Sequence, residues 1–362
     1  MPDKMRVINS GLNEMAEWLP VDRVPWVIAG PCSAETREQV LATAQGVAAC
    51  PNVRVFRAGL WKPRTRPNTF EGVGRAGLPW LQAVKEQTGL PTTTEVATAK
   101  HVELCLAHGI DMLWIGARTT VNSFMVQEIA EALRGVDVPV LVKNPINAEL
   151  GLWIGAIERL YGAGVRKLAA IHRGFSTYTE TEYRNRPNWQ IPIELKRSFP
   201  RLGLICDPSH IAGKRGLVER VAQMALDFGI QGLMIETHVT PDQALSDASQ
   251  QITPEDLTAM IGRLCVRDAE PLEAEVRSQI LRLRACIDQV DARILQDLAE
   301  RMRWVEEIGR LKKQHHIPVL QLDRWETLLE DHVARAQAVG LDPDFVKTIF
   351  EAIHTQAVQQ QL

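Results

Sequence analysis

Four residues of metal-binding type stand where short apolar runs give way to polar ones: Cys32 in GPCS, His210 in DPSH, Glu236 in IETH and Asp247 in LSD. A thiolate, an imidazole and two carboxylates form a mixed S, N and O donor set that suits a divalent first-row metal without selecting one. Each has a bland reading alone, since a lone buried Cys usually packs and a lone His usually satisfies a local hydrogen bond. Their recurrence at one kind of position is the signal. A second set is cationic: Arg57, Lys62 and Arg64 in RAGLWKPRT, Arg118 in IGARTT, Lys143 in VKN and Arg173 in IHRG. Arginine forks match phosphate and carboxylate oxygens and lysine acts as a point charge, so multiply anionic substrates are implied. Ion pairing with Glu95, Glu149 and their neighbours accounts for one or two of these cations, not for the set.

The elements that position these residues are readable from periodicity. Short apolar, β-branched runs at 24–29, 53–58, 91–96, 112–117, 139–143, 167–172, 202–206 and 232–237 alternate with stretches of helical period such as 35–49, 78–87, 99–108 and 216–228. Alternation of this kind predicts βα units and a parallel sheet. Eight strands within roughly 250 residues match a closed (β/α)8 TIM barrel, whose functional residues sit on the loops after the strands. The competing open doubly wound sheet lacks its GxGxxG signature after the first strand.

Composition excludes several classes. The 362 residues exceed what one core usually fills, so a large and a small domain are expected. A formal net charge of −3, from 41 basic and 44 acidic residues, provides no overall field for nucleic acid or membrane. No long apolar run and no apolar amino-terminal stretch is present, which predicts a cytoplasmic protein. The six cysteines lack CxxC spacing and are expected to be reduced.

The barrel pattern breaks in the charged stretch at 264–273. The expected domains are therefore 1–263, a linker at 264–273, and an all-α helical domain at 274–362. From 274 to 315 there is no Pro and only Gly309, which predicts one helix of about 40 residues and about 60 Å. Ile280, Leu283, Ile287, Val290, Ile294, Leu298, Val305 and Ile308 advance by threes and fours, so this helix presents a stripe that needs a partner. Arg301 and Lys312 fall on the same progression. A cation on an apolar seam is costly unless paired. Its counter-anion is either a side chain such as Asp297 or Glu307, setting register in a dimeric bundle, or a ligand. Shorter helices are predicted at 324–339 and 343–361.

The motifs AGPCS, KPRT, TTE, IGART, VKN, HRG, DPSH, and IETH followed by LSD resemble, in order and spacing, the β branch of the type I 3-deoxy-D-arabino-heptulosonate 7-phosphate (DAHP) synthases, over about residues 24–262. That family condenses phosphoenolpyruvate with erythrose 4-phosphate. The resemblance implies a divalent metal, expected to be manganese, bound by Cys32, His210, Glu236 and Asp247. It implies that Arg57, Lys62, Ala117, Arg118, Lys143 and Arg173 hold phosphoenolpyruvate, and that Pro63, Arg64 and Thr65 meet the erythrose phosphate. Lys62 is then a candidate general acid for the new hydroxyl. Glu95 either orients the attacking water or serves as a structural partner of Arg118. The 3-deoxy-octulosonate 8-phosphate synthases share the fold and use arabinose 5-phosphate; they characteristically read KANRSS where this chain reads KPRT.

Leu283-Arg284, Ala299-Glu300-Arg301, Gly309 to Lys312, Pro318-Val319, Asp323-Arg324, Phe350 and Gln361 resemble the AroQ-type chorismate mutases, all-helical dimers, over about residues 274–362. The resemblance implies a homodimer converting chorismate to prephenate. Arg284 (from the partner subunit) and Arg301 would hold carboxylates, Lys312 and Gln361 would address the ether oxygen, and Arg324 would support them. The chain departs from the pattern at Trp325, commonly Glu, and at Gln321, an acidic position in the family. The whole reads as a bifunctional, allosterically regulated shikimate-pathway enzyme; the alternative keeps the barrel catalytic and makes the helical domain a non-catalytic regulatory and dimerisation module.

Overall fold

The computed structural model describes residues 2–62, 69–178, 181–267, 273–320 and 322–362. The chain divides into two compact units, Met1–Arg267 and Asp268–Leu362. In the first, β1 (Trp26–Gly30), β2 (Val53–Arg57), β3 (Thr92–Val96), β4 (Met112–Ile115), β5 (Val140–Lys143), β6 (Leu168–His172), β7 (Gly203–Cys206) and β8 (Gly232–Glu236) close into one parallel barrel in sequence order. Each run expected from the sequence coincides with one of these strands, β1 extending one residue past its run to Gly30. Ala58, Ala117 and Thr237 lie past their strand ends; Gly116 caps a short helix that begins at Ala117, so the chain turns there instead of continuing extended.

Strand alternation divides the apolar residues into two layers. Ile28, Val55, Trp114, Leu141, Ile171 and Met234 pack together in one fully buried cluster. Their neighbours Val27, Phe56, Leu113, Val140, Ala170 and Leu233 join the cluster that includes the surrounding helices. A period of two in a closed sheet produces this division. The β1–β8 seam pairs Gly30 with Glu236. Gly30 sits at φ 144°, and a Cβ there would lie 2.1 Å from the Arg57 carbonyl oxygen, so only glycine lets β2 approach this closely. Helices on the outside begin at side-chain caps, Thr36, Thr98 and Thr253 each accepting the backbone N–H three residues on.

The second unit contains a helix over Ala274–Gln314, of 41 residues, followed by Leu322–Ala338 and Pro343–Gln361. The last helix packs on both others. Among the described residues of the unit, the buried apolar ones are Val305 on the long helix, Ala336 on the middle helix, and Val346 and Ala357 on the last. Farther toward the start of the long helix, Leu283, Ile287, Val290 and Ile294 stay exposed on this single chain. Among the described residues no helix is long and apolar enough to cross a membrane.

Candidate active sites

The carboxyl ends of the barrel strands converge on one mouth. Cys32 follows β1, Glu236 ends β8, and Asp247 lies in the loop beyond it in a left-handed conformation, φ 46°. Ligand atoms of these three residues lie within 4.8 Å of one another. His210, in the short helix Pro208–Ala212 after β7, is beside them, with Nε2 3.6 Å from Glu236 Oε1 and Nδ1 2.8 Å from Asp207 Oδ2. A thiol, two carboxylates and an imidazole at this spacing fit a divalent ion.

Charge inside this pocket is closely matched. The Cys32 thiol is pushed up to about 12, by burial first and then by the Glu236 carboxylate. Burial also works against the Glu236 charge, but His210, Arg57 and Lys62 together hold its carboxyl below the ordinary range. Burial depresses His210 more than Asp207 raises it, which favours the neutral imidazole that a metal ligand requires. Lys62 places Nζ 2.8 Å from Cys32 Sγ. Its ammonium is opposed by burial and favoured by Cys32 and Glu236, with a net rise in pKa.

The anion-binding side adjoins this cluster. Arg57 is 1% exposed and donates through Nη2 to Glu236 Oε1 at 3.1 Å, while its Nε and Nη1 have no partner. Buried N–H groups of a guanidinium left this way need an acceptor. The Arg57 guanidinium stands 4.9 Å from the Trp114 ring, and Lys143 Nζ stands 5.9 Å from it. Lys143 is paired with Asp207 at 2.8 Å. Arg173 donates to Asn185 Oδ1 at 2.6 Å and is pushed down to about 10 by burial, with Arg184 and Arg118 adding to the effect against Asp207. Glu95 accepts the Trp114 indole N–H at 3.1 Å and packs where a side chain on Gly116 would be. Arg118 lies in the short helix opened by Ala117. Pro63, Arg64 and Thr65 lie outside the described residues.

Several contributors escaped the sequence reading. Asp207 bridges the two sides: one of its oxygens accepts the His210 backbone N–H at 3.0 Å and the other accepts Lys143. It was visible within DPSH, but only folding brings Lys143 to it. Arg184 donates to Asp247 at 3.0 Å and to Gln250 at 2.8 Å, and Gln250 donates to Glu236 at 2.7 Å. Gln251 accepts the Cys32 backbone N–H at 3.0 Å. No spacing in the sequence marks these three.

The helical unit has a cavity of its own of about 310 Å³, whose lining includes Arg301, Lys312, Arg324, Trp325, His354 and Gln361. Arg301 Nη1 and Gln361 Oε1 are buried without hydrogen-bond partners. Lys312 donates to the Val319 carbonyl at 2.7 Å. A Cβ on Gly309 would meet Gln361 Cα at 3.1 Å, so this glycine lets the end of the last helix close against the long one. Arg284 is exposed and lies outside this cavity lining. Gln321 is outside the described residues.

The closed parallel barrel, with thiol, carboxylates and buried cations at its carboxyl mouth, defines a β/α-barrel protein of the kind that handles small anions, joined to a helical unit with a cationic cavity. The chain belongs to the DAHP synthetase I family, whose model matches residues 21–266. Residues 283–362 match the model for chorismate mutase type II. A phospho-2-dehydro-3-deoxyheptonate aldolase of Thermotoga maritima is 31% identical over 226 residues, 62% of this chain and 64% of that relative's length. A 2-dehydro-3-deoxyphosphooctonate aldolase of Caulobacter vibrioides is 26% identical over 260 residues, 67% of this chain and 87% of the relative. The crystal structure of the Thermotoga maritima DAHP synthase superposes with a TM-score of 0.59 at 29% identity, covering 66% of this chain and 67% of that one.

Proposed function

We propose that the chain is a bifunctional enzyme, with a DAHP synthase centre in the barrel and a chorismate mutase centre in the helical region, the two parts joined at 264–273. The observation that carries the first half is the meeting of Cys32, Glu236 and Asp247 with Lys62 and the unpartnered N–H groups of Arg57 at one barrel mouth. Phosphoenolpyruvate carries a phosphate and a carboxylate, which Arg57, Arg118, Lys143 and Arg173 would hold, with Ala117 at the adjoining turn. Pro63, Arg64 and Thr65 would meet erythrose 4-phosphate. Cys32, His210, Glu236 and Asp247 would bind a divalent ion, manganese in our reading, which supplies Lewis-acid polarisation of the aldehyde.

The remaining work belongs to the side chains. Carbon 3 of phosphoenolpyruvate bonds to the aldehyde carbon, and the aldehyde oxygen becomes a hydroxyl with a proton from Lys62. Water adds at carbon 2 and gives up one proton, which restores the Lys62 ammonium; as the carbon–oxygen bond to phosphate breaks, the remaining hydroxyl proton leaves with the phosphate and carbon 2 becomes a ketone. Glu95, which accepts the Trp114 indole N–H, would orient that water. Buried cations held by the fold supply charge stabilisation without reorganisation.

In the helical cavity, Arg301 would hold a carboxylate, Lys312 and Gln361 would address the ether oxygen of chorismate, and Arg324 would support them. Arg284 of the partner subunit would complete the site. Support for a homodimer is the exposed stripe Leu283, Ile287, Val290 and Ile294 on the helix that also bears Arg284. A pericyclic rearrangement needs no nucleophile, so such donors are sufficient. Trp325 in the cavity, where an acidic residue is common in the family, favours a second reading in which this unit binds a pathway metabolite without converting it.

Purified full-length protein separates these readings. Consumption of phosphoenolpyruvate should require erythrose 4-phosphate and fail with arabinose 5-phosphate. Chorismate should disappear rapidly with the unaltered chain and at the spontaneous rate with Arg301→Ala. Spontaneous loss with both proteins would leave the synthase with a non-catalytic helical domain.

A further inference from the structure

The polar groups of the helical cavity are unevenly divided between donors and acceptors. Arg301, Lys312 and Arg324 only donate, as does the indole of Trp325. Chorismate offers these groups two carboxylates and an ether oxygen, all acceptors. It also carries one ring hydroxyl, whose proton needs an acceptor when buried. Among the lining side chains this leaves the Gln361 carbonyl and a ring nitrogen of His354. Gln361 already donates through Nε2 to the Ala357 carbonyl at 3.2 Å, and its packing over Gly309 restricts where its amide can turn.

His354 is held differently. Its imidazole lies flat on Trp325, with ring centroids 3.9 Å apart and an interplanar angle of 17°. The indole covers one face of the ring, and His354 itself lines the cavity. We propose that His354 accepts the ring hydroxyl of the mutase substrate and that Trp325 is the positioning residue that fixes the imidazole; this rests on the mutase reading above. The stacked pair takes over the hydroxyl contact that a carboxylate at position 325 would otherwise make.

The charges facing His354 agree with an acceptor role. Burial first, and the Arg301 guanidinium second, hold its imidazole below the ordinary range. Lys312 on the long helix and Arg324 on the middle helix also line the cavity, and both are cationic. On its own helix, Glu351 is exposed to solvent. A neutral imidazole has one nitrogen free to accept.

The test uses full-length protein with chorismate and with an analogue lacking the ring hydroxyl. The unaltered chain should prefer chorismate by at least about tenfold in kcat/KM, as expected when a buried hydrogen bond is lost. His354→Phe should reduce that preference to within about threefold, and Trp325→Phe should retain it. In the unaltered chain kcat/KM should fall as pH drops through the imidazole range, and His354→Gln should remove that limb. Unchanged synthase activity and circular dichroism verify that each variant is folded; should His354→Phe fail these controls, the pH profile of His354→Gln decides. A hydroxyl preference and pH limb that survive in the His354 variants, or that vanish only in Gln361→Ala, would overturn the proposal while leaving the mutase reading intact. Absence of chorismate turnover by the unaltered chain would overturn both.

Discussion

Lys62 Nζ lies 2.8 Å from Cys32 Sγ, joining the loop after β2 to the candidate metal cluster after β1. This contact separates two roles that single substitutions can test. Lys62→Ala should lower synthase kcat by about 10²- to 10⁴-fold, the range for a lost general acid, with metal content unchanged by elemental analysis. Cys32→Ala should lower both metal content and rate. Loss of metal from Lys62→Ala would instead make Lys62 a structural partner of the thiol.

Arg57 is the buried counter-charge of Glu236. Arg57→Ala should destabilise the barrel by about 3–5 kcal/mol, because removing one member of a buried pair leaves the other uncompensated. Denaturant unfolding of apo protein measures this. The KM for phosphoenolpyruvate should rise as well, since the unpartnered Nε and Nη1 are lost with the same side chain.

His172 gives the barrel an acid-sensitive core. It is fully buried against Trp189, ring centroids 4.9 Å apart, and burial, reinforced by Arg173, pushes it from 6.5 to about 3. Below pH 6.5 the unfolded chain takes up a proton that the folded chain refuses, so this residue's contribution to stability declines as pH falls toward 3. The decline approaches about 1.4 kcal/mol per pH unit. His172→Phe should flatten the stability curve between pH 6 and about 4 by that amount per unit. Parallel curves for the two proteins would show that another group dominates.

Chelation should distinguish the two chemistries. A strong chelator should abolish DAHP formation and leave chorismate turnover within about twofold, because in the proposed mechanism only the first reaction would use a Lewis acid. Loss of both activities would contradict the separation of sites.

Gly309→Val places side-chain atoms where Gln361 packs. Displacing a binding group by about 1 Å costs up to about 10²-fold. Mutase kcat/KM should therefore fall at least about tenfold by chorismate consumption, with synthase kinetics as the internal control.

The barrel was legible because burial on both faces of strands such as Trp26–Gly30, Met112–Ile115 and Leu168–His172 leaves largely apolar runs, and because Cys32, Arg57, Lys143, Arg173 and Glu236 stand where strand runs end. What stayed hidden depends on the third dimension. Trp114 reads as one more apolar strand residue, yet its indole fixes Glu95 and its face lies near Arg57 and Lys143. Arg184 and Gln250 sit in loops without motif, and their value comes only from reaching Asp247 and Glu236. In the helical unit, the seam position of Arg301 was readable, but the pairing of Trp325 with His354 joins two helices whose register the sequence does not state.

The pairing of Gly30 with Glu236 is the seam where the first strand meets the last, and Cys32 and Asp247 contact each other across 215 residues of chain. The candidate metal cluster therefore does not exist in any partly wound barrel. An ion that binds only the closed ring favours that state by mass action, so the cluster would act as a clasp on the ring as well as a reaction centre. Because contacts this distant in sequence incur their loop-closure cost before they return any stability, the clasp would fasten at the end of assembly, and the barrel would acquire its chemistry in the same event that completes its fold.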